Sequence, residues 1–174
     1  MTSEACLTGT DRVWEAAKSL SLDHVINVQG DEPLISPDHI GQFVREMERH
    51  PEAILNGMCP IDSEEEFRSS TIPKVVAAPD GRLLYMSRAA IPTDKSLRFC
   101  QAWKQVCVYA FPSGPLEAFS RVRTKTPLEA IEDIEVLRFL ELGYEVRMLQ
   151  LGQGSIAVDV PEDVRRVEDA LRAR

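Results

Sequence analysis

The stretch INVQGDEPLI, residues 26–35, contains an apolar run that stops at Gly30 and is followed at once by two carboxylates and a proline. A short, nearly continuous apolar run such as HVINVQ (24–29) is typical of a parallel strand covered on both faces. In open α/β sheets, ligands bind beyond the carboxyl ends of the strands. We therefore predict that Asp31, the first residue after Gly30, belongs to a functional site.

A second stretch, SIAVDVPED (155–163), has the same order: apolar residues, then Asp159, then a helix that begins near a proline. Two aspartates at one sheet edge can hold a single cation. Carboxylate oxygens, together with waters and substrate phosphates, are the usual surroundings of Mg²⁺. The alternative is that Asp31 only shapes a turn and Asp159 only caps a helix, and the spacing alone does not decide between the two.

Strand and helix patterns alternate along the rest of the chain. Ser36 and Pro37 form the start signal of an amphipathic helix, and Thr126 with Glu129 forms a capping box for what reads as one long helix over 126–143. Further strands are predicted at 53–58, 104–111 and 144–151, a hairpin at 74–87, and a closing helix at 161–174. This alternation predicts a single α/β domain over 1–174, with a mixed, mainly parallel sheet and helices on both faces.

Composition narrows the classes of function. A chain of 174 residues with 44% hydrophobic residues can enclose one substantial core. The formal charge of −8 opposes attraction to a phosphate backbone, so nucleic acid is not expected as a partner. The four cysteines and three histidines lack zinc-ligand spacing, and neither a membrane-spanning run nor a signal peptide is recognisable. We expect a cytoplasmic protein with reduced thiols that does not enter a membrane.

Other candidate residues have two interpretations each. The stretch TGTDR (8–12) offers Gly9, Thr10 and Arg12 as donors to a ribose or a pyrimidine, or it is simply a structural loop. Arg88, at the end of a hairpin strand, either clamps a carboxylate or forms an ion pair within the chain. For Tyr109 and Glu135 the more ordinary interpretation is that they belong to the core or to its rim.

Six stretches of the chain, in their order and spacing, resemble the CMP-Kdo synthetases, that is, the 3-deoxy-manno-octulosonate cytidylyltransferases. They are GTDR, NVQGDEP, YMSRAAIP, VYAF, TPLEAIEDIEVLRFLELG and IAVDVPEDVRRV. The resemblance covers essentially the whole chain. It implies a Rossmann-like nucleotidyltransferase fold with a dimerising arm, and so a homodimer. It also implies transfer of CMP from CTP to a 3-deoxy-2-keto sugar acid, with release of pyrophosphate, for lipopolysaccharide or capsule precursors.

The resemblance also implies a role for individual residues. The magnesium ligands would be Asp31 and Asp159, and Arg88 would hold the carboxylate of the sugar. The residues implied to line the sugar pocket are Gln29, Gln105, Tyr109 and Glu135. Those implied to lie near the cytidine are Gly9, Thr10 and Arg12. In the implied reaction, the anomeric hydroxyl of the sugar attacks the α-phosphorus in line, while Mg²⁺ neutralises charge on the phosphates.

The sequence departs from the family pattern in two ways. Gln105 and Ala130 stand where histidines are expected, and Val136 stands where a glutamine is expected. The glycine-containing basic loop that wraps the triphosphate also has no counterpart, so we expect the chain to be the C-terminal part of the family domain, truncated at its N-terminus. Two alternatives stay open: an enzyme for a different 3-deoxy-2-keto sugar acid, and a non-catalytic module that binds a sugar acid or dimerises.

Overall fold

The structure contains six strands and seven helices among the residues that it describes. The computed structural model describes residues 1–152, 158 and 161–172. The strands are β1 (His24–Val28), β2 (Ile54–Pro60), β3 (Lys74–Ala77), β4 (Leu83–Ser87), β5 (Trp103–Pro112) and β6 (Val146–Gln150). The helices are α1 (Gly9–Leu20), α2 (Pro37–Arg49), α3 (Glu64–Arg68), α4 (Ser113–Arg121), α5 (Pro127–Glu132), α6 (Val136–Glu141) and α7 (Pro161–Arg172).

The sheet has the order β4-β3-β5-β2-β6, and β1 also pairs with β5. The C-terminal half of β5, from Val108 to Pro112, pairs with β1, whereas its first two residues pair with β3. Strand β2 lies along the other side of β5 and separates it from β6. The long central strand thus brings three separate parts of the chain side by side.

The mixed α/β class is confirmed, but the prediction of a mainly parallel sheet is wrong for the part of the chain that the structure describes. There β5 runs antiparallel to β1, β2 and β3, and the parallel pair is β2 with β6. Apolar runs reveal that both faces of a strand are covered by other elements. They do not reveal the direction of its neighbours, which depends on connections made far along the chain.

Helices cover both faces of the sheet, as predicted. On one face Phe111 packs with Phe119 and Phe139, which belong to α4 and α6, and all three are buried. On the other face Phe43 of α2 is fully buried against a second cluster that includes Val108. Each fully buried large apolar side chain contributes about 1.5–3 kcal/mol, so these two layers hold β5 firmly between them.

Helix α1 was not predicted, because residues 8–12, which form its N-cap and first turn, were interpreted as a loop. Thr8 is the N-cap, and its hydroxyl and backbone N–H form a reciprocal capping box with Asp11. The spacing of Val13, Trp14 and Ala17 then turns one face of the helix toward the core. A threonine three residues before an aspartate is the signal that predicts this start.

The predicted single helix over 126–143 is instead two short helices. The capping box of Thr126 with Glu129 is present, as predicted. However, Asp133 adopts the left-handed conformation, with φ of 52°, and ends α5. The break turns Ile131, which was expected in the buried stripe, out to 79% exposure, while Ile134 remains buried.

A fully buried ion pair joins the two short helices. The guanidinium of Arg138 in α6 donates to both carboxylate oxygens of Glu129 in α5, at 2.6 and 2.5 Å. The same guanidinium lies 3.7 Å from the centre of the Phe119 ring. Because both charged groups are fully buried, each is compensated mainly by the other, and Oδ1 of Asp11 lies 3.9 Å from Nη1 of Arg138.

No helix in the described part of the chain combines the length and the apolar character needed to cross a bilayer. The four cysteines, all within the described residues, form no disulfide.

Candidate functional site

The turn that follows β1 is fastened to the central strand. The backbone N–H of Gln29 donates to the Cys107 carbonyl at 3.2 Å, and the Cys107 N–H donates to Oε1 of Glu32 at 3.0 Å. The N–H of Glu32 closes the turn by donating to the Gln29 carbonyl at 3.1 Å. With 4% of its surface exposed, Glu32 is a buried anchor, so the position of Asp31 is fixed from both sides.

Asp31 has the properties of a metal-ligand group. Its Oδ1 is buried and accepts no hydrogen bond from the residues that the structure describes. A buried carboxylate oxygen in this condition is unfavourable unless a cation or a donor completes it. The donor type, a hard carboxylate oxygen, fits Mg²⁺.

Val158, the described residue just before Asp159, is hydrogen-bonded to the turn that contains Asp31. The backbone N–H of Val158 donates to the carbonyl of Asp31 at 2.9 Å, across 127 positions of sequence (158 − 31). Asp159 itself lies outside the described residues. Among those described, no group of three or more His, Cys, Asp or Glu side chains gathers in the manner of a metal site.

Every second side chain of a strand lies on the same face of the sheet. On the face of β5 near this turn, these side chains are Gln105, Cys107 and Tyr109. Nε2 of Gln105 donates to the Tyr109 hydroxyl oxygen at 3.2 Å. Burial raises the pKa of Tyr109 well above its ordinary value, and the nearby Cys107, Glu135 and Asp31 raise it further. Tyr109 therefore keeps its proton at neutral pH.

Glu135 joins the predicted sugar pocket to the predicted nucleotide loop. It lies at the start of α6, and its carboxylate accepts hydrogen bonds from the backbone N–H groups of Gly9 at 3.2 Å and Thr10 at 2.8 Å. A negative charge at the first turn of a twelve-residue helix is favoured by the helix dipole. Gly9 also lies close to Gln29, because a Cβ atom on Gly9 would come within 4.0 Å of Nε2 of Gln29.

Arg88 has an extensive set of partners within the chain. Its Nε donates to the Glu132 carbonyl at 2.6 Å and its Nη2 to the Asp133 carbonyl at 3.0 Å. Its Nη1 donates to the carbonyls of Ser70 and Thr71, both at 3.1 Å. The guanidinium thus braces the break between α5 and α6, and a ligand carboxylate would have to replace part of this set.

Arg12 points away from the cluster. Its Nη1 donates to the Thr2 hydroxyl and the Ser3 carbonyl, both at 3.0 Å. The structure therefore brings most of the predicted residues to one place and leaves two arginines with other partners. The residues that converge are Gly9, Thr10, Gln29, Asp31, Gln105, Tyr109 and Glu135.

Three polar residues that support the site were missed in the sequence. Asn56 of β2 is fully buried and hydrogen-bonds Gln105. Cys107 lies between the two predicted residues of β5. Glu132 accepts from the Ser87 hydroxyl at 2.7 Å and from the Arg88 N–H at 2.9 Å. Of these residues, Asn56 could have been recognised in the sequence, because an amide inside an otherwise apolar strand needs buried hydrogen-bond partners.

Comparison with known proteins gives a consistent result. A sequence model of the cytidylyltransferase family matches residues 1–148. The 3-deoxy-manno-octulosonate cytidylyltransferase of Acidobacterium capsulatum is 37% identical, over 99% of this chain and 70% of its own. The Arabidopsis thaliana enzyme of the same name, labelled mitochondrial, is 34% identical over the whole of this chain and 61% of its own.

A solved structure is also similar over nearly all of the chain. It is that of a CMP:2-keto-3-deoxy-manno-octonic acid synthetase complexed with CTP. The two are 27% identical and superpose with a TM-score of 0.87, over 96% of this chain and 69% of the other.

Proposed function

Because the chain belongs to the cytidylyltransferase family, and within it to the 3-deoxy-manno-octulosonate cytidylyltransferases, we propose that it transfers CMP from CTP to 3-deoxy-D-manno-octulosonate (Kdo) and releases pyrophosphate. The observation that carries this proposal is the likeness to the CTP-complexed synthetase, with a TM-score of 0.87 over 96% of the chain. The product would serve the synthesis of lipopolysaccharide or capsule.

Asp31 and Asp159 are the residues that would hold Mg²⁺. Support comes from the buried, unpartnered Oδ1 of Asp31 and from the hydrogen bond that ties Val158 to the Asp31 carbonyl. When bound, the ion supplies neutralisation of charge on the phosphates. The fixed turn after β1 adds orientation, since Glu32 prevents Asp31 from moving relative to β5.

The side chains on β5 would bind and orient the sugar acid. Tyr109 keeps its proton and can donate to a sugar hydroxyl or to the sugar oxygen that attacks the α-phosphorus. Gln105 and Gln29 border the same space. Glu135 would fix the first turn of α1 beside them through Gly9 and Thr10, which places the proposed cytidine contacts next to the proposed sugar contacts.

The proposed role of Arg88 toward the sugar carboxylate requires that the ligand replace carbonyl partners of the guanidinium. This exchange is chemically reasonable, because a carboxylate forms stronger, charge-assisted hydrogen bonds than a carbonyl does. Arg12 would act at the edge of the nucleotide site, beyond the residues that converge around Asp31.

The proposal is tested with the purified chain, CTP, Kdo and MgCl₂. We expect CMP-Kdo and pyrophosphate to form in equal amounts, and chelation of the metal to stop the reaction. An Asp31→Asn variant is the matched control, because it keeps the shape of the side chain and removes its charge. A folded chain that neither binds CTP nor forms CMP-Kdo would refute the proposal.

A different 3-deoxy-2-keto sugar acid is the second candidate substrate. Gln105 favours it, because an amide in place of the expected histidine changes the shape of the sugar pocket. Val136 does not contribute to this argument, because it is 2% exposed and belongs to the core. Competition between Kdo and related sugar acids for CMP transfer decides between the two substrates.

We also propose a homodimer in the cytoplasm. The resemblance to the family implies a dimerising arm, and Leu97 and Ile131 are apolar residues that are 66% and 79% exposed in the single chain. Sedimentation of the purified chain tests whether it is a homodimer, and fractionation of the source cells tests whether it is cytoplasmic.

A further inference from the structure

A buried amide pair fixes the way in which Gln105 faces its ligand. The amide of Asn56 is fully buried, and its Nδ2 donates to the backbone carbonyls of Val106 at 3.0 Å and Val108 at 2.9 Å. These two carbonyls flank the irregular point at which β2 shifts its register against β5. If the Asn56 amide were flipped, its oxygen would face two carbonyl oxygens, so only one orientation is compatible with the strands.

The orientation of Asn56 determines that of Gln105. Oδ1 of Asn56 must point toward Gln105, and it accepts from Nε2 of Gln105 at 2.9 Å. The same Nε2 donates to the Tyr109 hydroxyl oxygen at 3.2 Å. A primary amide has two N–H donors, and both are therefore engaged inside the protein.

The group that Gln105 retains for a ligand is its carbonyl oxygen. None of the described residues donates to Oε1 of Gln105, and this oxygen is not among the buried polar atoms that lack a partner. Gln105 is only partly buried and lies on the same face of β5 as Tyr109. An acceptor to which none of the described residues donates thus stands beside a donor, the Tyr109 hydroxyl.

We propose that Gln105 determines specificity as a hydrogen-bond acceptor, and that the sugar acid must present a hydrogen-bond donor, a hydroxyl or an ammonium, to its Oε1. Asn56 is the positioning residue that imposes this polarity. A group without a hydrogen at that point, such as an ether, a ketone or a fluorine, leaves Oε1 unpaired and is rejected. This inference rests on the proposed function, since it concerns the sugar acid that the enzyme accepts.

The test uses Kdo and a set of analogues in which each hydroxyl other than the anomeric one is replaced in turn by fluorine. Fluorine has nearly the size of a hydroxyl but donates no hydrogen bond. Specificity constants are measured for CMP transfer to each analogue. For one position, we expect fluorination to lower the specificity constant of the wild-type chain by about tenfold or more, the effect of one hydrogen bond to a polar site.

Two variants assign this loss to Gln105. In Gln105→Met, which keeps the length of the side chain without its amide, the fluoro analogue and Kdo should differ by less than about twofold. In Gln105→His, the loss should return, because a neutral imidazole can donate one N–H to Asn56 and retain an acceptor nitrogen for the sugar. Circular dichroism and thermal unfolding of both variants show that they are folded.

The possible outcomes separate this inference from the proposed function. If the wild-type chain transfers CMP to no sugar acid, the proposed function fails and the inference fails with it. If the chain transfers CMP to Kdo, but Gln105→Met shows the same fluorine losses as the wild type, the inference is overturned and the proposed function stands. A fluorine loss that disappears in Gln105→Met and returns in Gln105→His supports it.

Discussion

The buried ion pair between Glu129 and Arg138 makes a quantitative prediction about stability. Replacing Glu129 by alanine removes the carboxylate that is hydrogen-bonded to the fully buried guanidinium of Arg138, and leaves only the more distant carboxylate of Asp11, whose Oδ1 lies 3.9 Å from Nη1. Loss of one partner of a buried pair destabilises a protein by about 3–5 kcal/mol. Since single domains are stable by only about 5–15 kcal/mol, this change should remove a large part of the total.

A second substitution separates charge from hydrogen bonding. Glu129→Gln keeps an oxygen for the guanidinium and for the backbone N–H of Thr126, which donates to Glu129 at 3.0 Å. It should therefore destabilise the chain less than Glu129→Ala does. The surface pair of Arg121 with Glu117 is the matched control, because its side chains are 74% and 44% exposed and such pairs contribute about 0–1 kcal/mol.

Urea unfolding of the four proteins, followed by circular dichroism, gives the free energies of unfolding. For a chain of this size, a loss of 3–5 kcal/mol corresponds to a fall in melting temperature of about 6–20 °C. We expect the order wild type, Glu117→Ala, Glu129→Gln, Glu129→Ala, from most to least stable. If Glu129→Ala is as stable as Glu117→Ala, then the pair is not buried as described and the reasoning is wrong.

Three further predictions concern the site. Asp31→Asn and Asp159→Asn should each raise the magnesium concentration needed for half-maximal turnover. The melting temperature of each variant should stay within a few degrees of the wild type. If either variant shows the magnesium dependence of the wild type, that residue is not a metal ligand. Glu32→Gln should keep most activity, because its oxygen still accepts from the Cys107 N–H. Glu32→Ala loses this bond and should lower the affinity for magnesium about tenfold. If the two variants give the same magnesium titration, Glu32 does not anchor the site. Arg88→Lys should destabilise the chain by about 1–3 kcal/mol in urea through lost carbonyl partners, and should raise the KM for the sugar acid only if Arg88 also holds its carboxylate.

Features that depend on neighbouring residues could be predicted from the sequence. The N-cap of α2 at Ser36 and the capping box of Thr126 with Glu129 are formed by residues two or three positions apart, so their signals survive in the sequence. The same holds for the hairpin turn at Gly81, whose φ of 88° suits glycine. Helix α1 obeys the same rule and was within reach through Thr8 and Asp11.

Features that depend on distant partners could not be predicted. Asp133 ends α5 in a left-handed conformation, and its carbonyl is held by Arg88, 45 positions away in the chain. The antiparallel pairing of β1 with β5 likewise joins residues at least 80 positions apart, as in the register of Val28 with Val108. Local patterns contain no information about such contacts, so a regular helix and a parallel sheet were the default expectations.

The candidate site shows the same division. The turn at Asp31 could be predicted because it follows an apolar strand, and the family resemblance supplied Tyr109 and Glu135. The anchoring of Glu32 to Cys107 and the amide pair of Asn56 with Gln105 depend on the register between strands, which the sequence does not state.

The bond between Glu135 and the start of α1 has a consequence for the order of folding. Its donors and acceptor are 126 and 125 positions apart, so a loop of that length must close before Gly9 and Thr10 meet their carboxylate. Closing so long a loop is entropically unfavourable and contributes only after the intervening strands have paired. The site therefore forms late in folding, and slow exchange of the Gly9 and Thr10 amide protons marks the step at which the start of α1 meets the start of α6.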